Sequence, residues 1–534
     1  MRRIIFLLAA LIASAASYAQ LYTLSEKDVI VEGDSIRKYL WPTDEKNRTI
    51  TQISIPSSIG GKTIKKIGAH SFDARTSRTS NRIEVVELQA GIEKIGAGAF
   101  RNNVISSISL PEGLTHICDS AFYFQYSSSG DEPYIECLEI PNSVTHIGAS
   151  AFEDMYIQKL KLSSSLKTIN ARAFKLNELT ELDLPEGLER IEVDAFSDNA
   201  ITKYNIPSTL KVLGGFRRNG MEIDFLQIPS TVEEFGDFAF AENKIKTIEI
   251  PRNIHRIGER AFANCGLNCD LFIHAGIEYI GPCAFSGCST ALLQLEEGIT
   301  TVNKSAFSGL YIDKVKWSST LTVIESGAFE NSFSYSRQET TPGSYVRTSL
   351  PLPSSLKKIG SDAFCAACVR SITVSGNNLE IADNAFSMCI YLKKLKIGRG
   401  VVSIGKKAFD GHETFRHLSV DMEEAVDLKH IMPGAFEDAV LGNVFILPKN
   451  GDWFAYTTDP DHADTSTPTT VLDDQTMGYV CRPTSAIKQI QTNDGQANTA
   501  VYDIAGRRLD GQAVLQRGLR IVKTQNGAHK IIVR

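Results

Sequence analysis

A small residue followed by phenylalanine punctuates most of the chain. The pair runs from Ser71-Phe72 through Ala261-Phe262 to Ala435-Phe436, in sixteen copies whose phenylalanines are most often 22 residues apart, as between Phe174 and Phe196. The segment from Asn243 to Phe262 shows the unit clearly: Ile245, Ile248, Ile250-Pro251, Ile254, Ile257-Gly258 and Ala261-Phe262. Ile248-x-Ile250 alternates apolar and polar with β-branched residues, which predicts a strand with one buried face. Pro251 ends it, because proline brings no N–H to a ladder. Gly258 is expected where the backbone takes a conformation that other residues resist. Ala261 permits tight coiling and the Phe262 ring fills the interior.

One such unit cannot bury its own apolar face. Stacked units can, so the period predicts a solenoid whose strands form a parallel sheet. Three residues after the phenylalanine stands a second column: Asn103, Asn177, Asn199, Asn219 and Asn243, then Cys265, Cys288 and Cys389. A buried polar column of this kind is expected to satisfy backbone groups that the turns leave unpaired.

The pattern Ile-x-Ile-Pro, then Val or Leu, then Ile-Gly, Ala-Phe and Asn or Cys resembles the BspA-like, or Treponema-type, leucine-rich repeat over about residues 53–447. Gly215-Phe216 lacks the alanine, and Ile117-Cys118 replaces Ile-Gly. The resemblance implies a leucine-rich repeat right-handed superhelix with a parallel β-sheet and short helical or irregular turns. It also implies a bacterial surface or secreted protein, in some members an adhesin for host matrix proteins.

The ends read differently. Arg2 and Arg3 precede an apolar run from Ile4 to Ala16, and Ser17-Tyr18-Ala19 offers a cleavage site, so residues 1–19 read as a signal peptide. Gln20, not cysteine, follows the cut, which argues against a lipid anchor. Residues 20–66 are expected to form an N-terminal cap and first strand, 67–447 the repeats, and 448–482 a C-terminal cap. Residues 483–534 carry short alternating strands with Gly turns and are expected to form a small β-sandwich. This segment resembles the sorting domain of type IX secretion substrates, except that Arg520 stands where that family usually has an aromatic.

Composition and charge narrow the function. A net charge of −6 gives no basic footprint for nucleic acid. No segment after the leader is apolar enough to span a bilayer. No nucleophile elbow, phosphate loop or His-Glu-x-x-His occurs, so no catalysis and no cofactor are expected. Cys365-x-x-Cys368 has no matching second pair for zinc, and no metal site is expected. The ten cysteines read mainly as buried thiols. If any are bridged, Cys283 with Cys288 and Cys265 with Cys269 are the pairs to test. Asp459-x-Asp461-His462-x-Asp464 reads as a solvated loop, lacking the glycine and distal glutamate of an EF-hand.

Three repeats are stretched, between Phe72 and Phe100, Phe122 and Phe152, and Phe329 and Phe364. Insertions in repeat arrays leave from one face, often the binding face. Candidate contact residues are therefore Tyr123, Phe124 and Tyr126 in the second insertion, and Phe333, Tyr335 and Tyr345 in the third. The outward strand positions read as acidic early (Glu87, Glu139) and basic late, where Lys316, Lys393, Lys394 and Lys396 are candidates for a protein or polyanionic glycan partner. The leading expectation is a monomeric, exported, non-catalytic interaction protein binding an extracellular protein such as a host matrix or surface protein. The alternatives are a glycan-capture surface protein and an enzyme whose site sits on the inserted loops.

Overall fold

A computed structural model describes residues 21–42, 50–76, 82–125, 134–333, 349–411, 418–439, 445–472 and 476–482, together with the backbone of four strands within 500–533. The chain divides into two compact units, 1–296 with 306–316, and 297–305 with 317–534. Both are built from stacked coils of nearly helix-free chain. Among the described residues only Ala74–Thr76 and Pro460–His462 form single 3-10 turns.

The parallel sheet that the repeat predicts is present, and a second one accompanies it. Strands from the Ile-x-Ile segments pair in parallel with their equivalents one coil away, as in Gln52–Ile55 with Val85–Leu88, Glu222–Leu226 with Lys244–Ile248, and Ser371–Val374 with Lys394–Ile397. In the Asn243–Phe262 unit the strand is Lys244–Ile248, which starts upstream of the expected Ile248-x-Ile250 and ends two residues before Ile250 is reached, so Pro251 is not what stops it. The Ile-Gly segments form the second row. Arg256–Ile257 pairs in parallel with Glu234–Phe235 on one side and with Tyr279–Ile280 on the other.

That second row corrects the reason for its glycine. Gly258 does not sit in the left-handed region. A Cβ there would lie 2.5 Å from the Asp237 nitrogen of the preceding coil. Gly281 and Gly405 meet the preceding coil equally closely. At these glycines a side chain would meet the preceding coil, although other coils keep the same spacing with a different residue there, as at Cys118 and Glu192. Gly215, which replaces alanine in one box, has φ of 84° and a Cβ would lie 2.9 Å from that of Ala195, so alanine is excluded there.

The left-handed conformations fall instead on residues flanking the Ala-Phe box. Arg260 has φ of 50° and Asn264 of 53°; Asn384 and Met388 flank the box of a later coil at 57° and 58°. These turns swing the chain around the box, whose phenylalanines stack between coils. In the first unit the stack runs from Tyr39 on Phe72 at 5.1 Å between ring centres to Phe285 on Phe307 at 6.3 Å. In the second unit Phe364 on Phe386 is 5.0 Å apart with planes 2° from parallel. Stacked rings at this distance contribute about 0.5–1.5 kcal/mol each beyond their burial.

The polar column closes the interior. Asn243 Nδ2 donates to the carbonyls of Phe240 in its own coil and Phe216 in the previous one, at 2.9 and 2.8 Å. Its Oδ1 accepts from the backbone N–H of Asn219 and Met221. Asn103, Asn177 and Asn199 repeat the pattern. Gln125 takes the same position in its coil and donates to Phe122 and Phe100. Where cysteine replaces asparagine, the thiol donates to one carbonyl, as Cys288 does to Phe262 and Cys389 to Phe364.

Both ends of the array are finished differently from its middle. Tyr22–Thr23 and Ser35–Tyr39 each add a parallel strand, one to either row, and Trp41 lies edge-on to Tyr39. At the far end Gly478–Arg482 joins the second row antiparallel to His430–Ile431, and Asp452–Tyr456 pairs antiparallel with it in turn. Trp453 is buried and donates from Nε1 to the Pro448 carbonyl. Beyond these, Ala500–Asp503, Arg508–Leu509, Gly518–Thr524 and Gly527–Val533 form one four-stranded antiparallel sheet. A second sheet, which a sandwich requires, is not among the described residues.

Replacing Asn243 by Ala leaves two buried carbonyls and two N–H groups without their partner, so urea unfolding should show a loss on the order of 2–4 kcal/mol. A loss under about 0.5 kcal/mol would show that the column is not holding the coils. Gly258→Ala and Met388→Gly should move the melting temperature in opposite directions, the first down by forcing two coils apart and the second up by about 1 kcal/mol of relieved left-handed strain.

Candidate functional site

The outward residues of the first row stand in columns, because each coil repeats the register of the last. Opposite charges from adjacent coils consequently sit side by side. Glu139 pairs with Lys161 at 3.7 Å, Glu222 with Lys244, Asp224 with Lys246, and Lys396 with Glu424 at 3.1 Å. The Glu424 carboxylate raises the Lys396 ammonium above its usual pKa, first through their hydrogen bond. Exposed pairs of this kind contribute little to stability. Here they interleave the two signs. Arg370, Lys393 and Lys394 are exposed and make no ion pair among the described residues, as does Lys316 on Tyr311–Lys316.

The insertion aromatics separate into distinct settings. Tyr123 is half-buried under the Arg101 guanidinium, 4.8 Å above its ring, and Phe124 beside it is 38% exposed. Phe333 is only 3% exposed and packs against Phe329 and Phe364 at 6.0 and 6.4 Å, so its ring belongs to the core. Tyr126, Tyr335 and Tyr345 lie outside the described residues.

Other apolar residues are exposed, of which the sequence marks only Phe272, as an outward strand position. Phe225 on Glu222–Leu226 is 53% exposed, and Phe272, an outward strand position, lies under Arg252 at 5.0 Å. Arg252 is itself held by Glu296 at 2.7 Å, whose carboxyl is pulled below its usual pKa by that hydrogen bond first. Met388, Ile390 and Tyr391 form a short exposed run just before Lys393. The available signal was the repeat length, since the interval from Phe386 to Phe409 is one residue longer than the common one.

The ten cysteines are unbridged. Cys265 lies against Cys288 of the next coil, Sγ to Sγ 3.7 Å, rather than being bridged to Cys269. Burial raises the Cys365 thiol to about 11 and the Cys389 thiol further. Asp459 caps the turn at Pro460–His462 and bonds His462 Nδ1 at 2.8 Å, and Asp464 accepts from the Ser466 N–H. These carboxylates serve local turns. Among the described residues no group of three or more His, Cys, Asp or Glu is placed to hold a metal ion, and no helix is long and apolar enough to cross a membrane.

Residues 45–130, 131–217, 214–336 and 344–453 match the BspA type leucine rich repeat region, in six copies. The chain belongs to the BspA-type leucine-rich repeat family. Among solved structures it is similar to a leucine-rich repeat protein from Bacteroides ovatus, with 19% identity over 69% of this chain and 90% of that one, TM-score 0.42. It is also similar to a leucine rich cell surface protein from Faecalibacterium prausnitzii, with 16% identity over 76% and 96%, TM-score 0.30. A third is the pneumococcal vaccine antigen PcpA, with 16% identity over 71% and 84%, TM-score 0.35. No curated protein matches significantly. In this BspA-type chain the repeat consensus is consumed by the interior, and the residues free to vary face outward.

Thiol labelling of the native chain at neutral pH should modify the exposed Cys137 first. Cys265, Cys288 and Cys389 should react only on unfolding. Mass spectrometry of labelled peptides reads the order, and early labelling of Cys389 would contradict its burial.

Proposed function

We propose that this protein is an exported, surface-exposed or secreted interaction protein, adhesive and without catalysis, which binds an extracellular protein through the outward face of its first strand row. The observation that supports this reading most is the division of labour within each coil. Ile, Phe, Ala and the Asn or Cys column are spent on packing, while adjacent outward positions carry exposed aromatics and charges in a fixed register. Exposed aromatics backed by arginine, as at Phe272 with Arg252, are the kind of group that anchors protein interfaces. Family membership supports the same role. Export rests on the leader-like first 19 residues, and the family supports a cell-surface location.

Within that reading, Lys393 and Lys394, with Tyr391 and Arg370 beside them, form the cationic part of the surface in the second unit. Tyr123 and Phe124 contribute a separate apolar part in the first. Surface plasmon resonance against a panel of matrix proteins and glycans should find a ligand whose affinity falls roughly tenfold or more in Lys393→Glu/Lys394→Glu. Unchanged binding of every ligand by this variant would remove the cationic surface from the reading.

A further inference from the structure

In about half of the coils the first strand row is followed by a proline turn, as at Leu352-Pro353-Ser354-Ser355, and in others, as at Leu162-Ser163 and Ile273-His274, it is not. Two neighbouring coils without the proline carry glycine there. Val374 is followed by Ser375-Gly376-Asn377-Asn378, and Ile397 by Gly398-Arg399-Gly400. The structure shows why. A Cβ on Gly400, whose φ is 77°, would lie 1.9 Å from the Gly376 carbonyl oxygen, and one on Gly376 would collide with Leu379. The glycines let the two turns pack directly on each other and on Leu379, and both border a cavity.

Two adjoining cavities occupy this edge of the second unit and share Asn377 in their walls. One, of about 490 Å³, is lined by Trp317, Pro351 and Ser354, and the other, of about 440 Å³, by Asn378, Arg399, Asp427 and Lys429. Together they form an open groove crossing the turns of five successive coils, roughly 19 Å at the spacing of paired strands.

We infer that this groove is a binding site for an acidic oligosaccharide, a chain of sugar rings carrying carboxylate or sulfate groups. Its position on the turns is distinct from the strand face proposed above. Trp317 at one end is half-buried and held in place, its Nε1 donating to the Pro351 carbonyl at 2.9 Å and its ring standing edge-on to Phe329. A fixed indole is a platform for the C–H face of a sugar. Asn377 and Asn378, both exposed, offer amides that donate and accept together, matching the paired hydroxyls of a saccharide. At the other end Arg399 and Lys429 are exposed and make no ion pair among the described residues. The one carboxylate in the lining, Asp427, accepts from the Gly400 N–H at 2.8 Å. The Arg399 fork suits a carboxylate or sulfate. An acidic peptide fits less well. The flanking strands Leu379–Ile381 and Val401–Ile404 are each paired on both sides, so they offer no edge for a peptide strand to extend.

Isothermal titration of the full chain with a uronate-containing oligosaccharide, its neutral counterpart and a poly-glutamate peptide tests the assignment. Binding of the acidic oligosaccharide should exceed that of the neutral one, weaken with salt, and fall roughly tenfold in each of Arg399→Ala and Trp317→Ala. Trp317 packs on the core, so Asn377→Ala, at an exposed turn, is the companion variant and should weaken binding with an unchanged melting temperature. Three results would overturn the assignment: no binding of the acidic oligosaccharide, binding unaffected by Arg399→Ala and Asn377→Ala, or equal affinity for poly-glutamate that survives Trp317→Ala. Loss of binding in Lys393→Glu/Lys394→Glu with Arg399→Ala unaffected would move the ligand to the strand face.

Discussion

The separation between one coil and the next is the quantity on which this molecule depends. Three unrelated devices set it to the same value. Phenylalanine rings stack within 5.0 to 6.3 Å of each other, the second strand row bonds backbone to backbone, with glycine at its closest approaches, and the asparagine column bridges carbonyls of adjacent coils. Each would be weak alone. They reinforce one another because a change in spacing breaks all three at once. Burial of apolar surface supplies the drive, but it is not directional, and it would accept many spacings that these contacts refuse.

This division explains which parts of the molecule are legible in its sequence. The solenoid, the strand row, the interior phenylalanines and the polar column follow from the period, since each is a residue type recurring at a fixed place; that the rings stack on one another does not. The second strand row was not visible, because two-residue strands such as Arg256–Ile257 are too short to show alternation. The role of Gly258 was misread for a related reason. Its constraint lies in Asp237, a coil away, and local conformation carries no trace of it. Gln125 belongs to the polar column but was overlooked because the column was read as asparagine and cysteine.

The surface was less legible than the interior. Phe333 sits among insertion aromatics, and nothing in its neighbourhood distinguishes a ring turned inward from one turned outward. Along the strand face some charges pair across adjacent coils, as Glu139 and Lys161 do, while Arg370, Lys393 and Lys394 make no ion pair among the described residues, a difference that only the register reveals. The groove at Gly376 and Gly400 has no distinct trace in the sequence, because turns without proline recur in coils far from it, as at Leu162-Ser163 and Ile273-His274.

The reversal of strand direction at Gly478–Arg482 has a bearing on assembly. A parallel coil exposes the same unpaired edge that its successor would occupy, and identical molecules could therefore continue one another's stack into a fibre. A strand running the opposite way, followed by the Asp452–Tyr456 strand and the buried Trp453, presents hydrogen-bonding groups out of phase with an incoming parallel coil. The second row is thus closed by the chain's own antiparallel strands, which disfavour end-to-end stacking of identical molecules through that row.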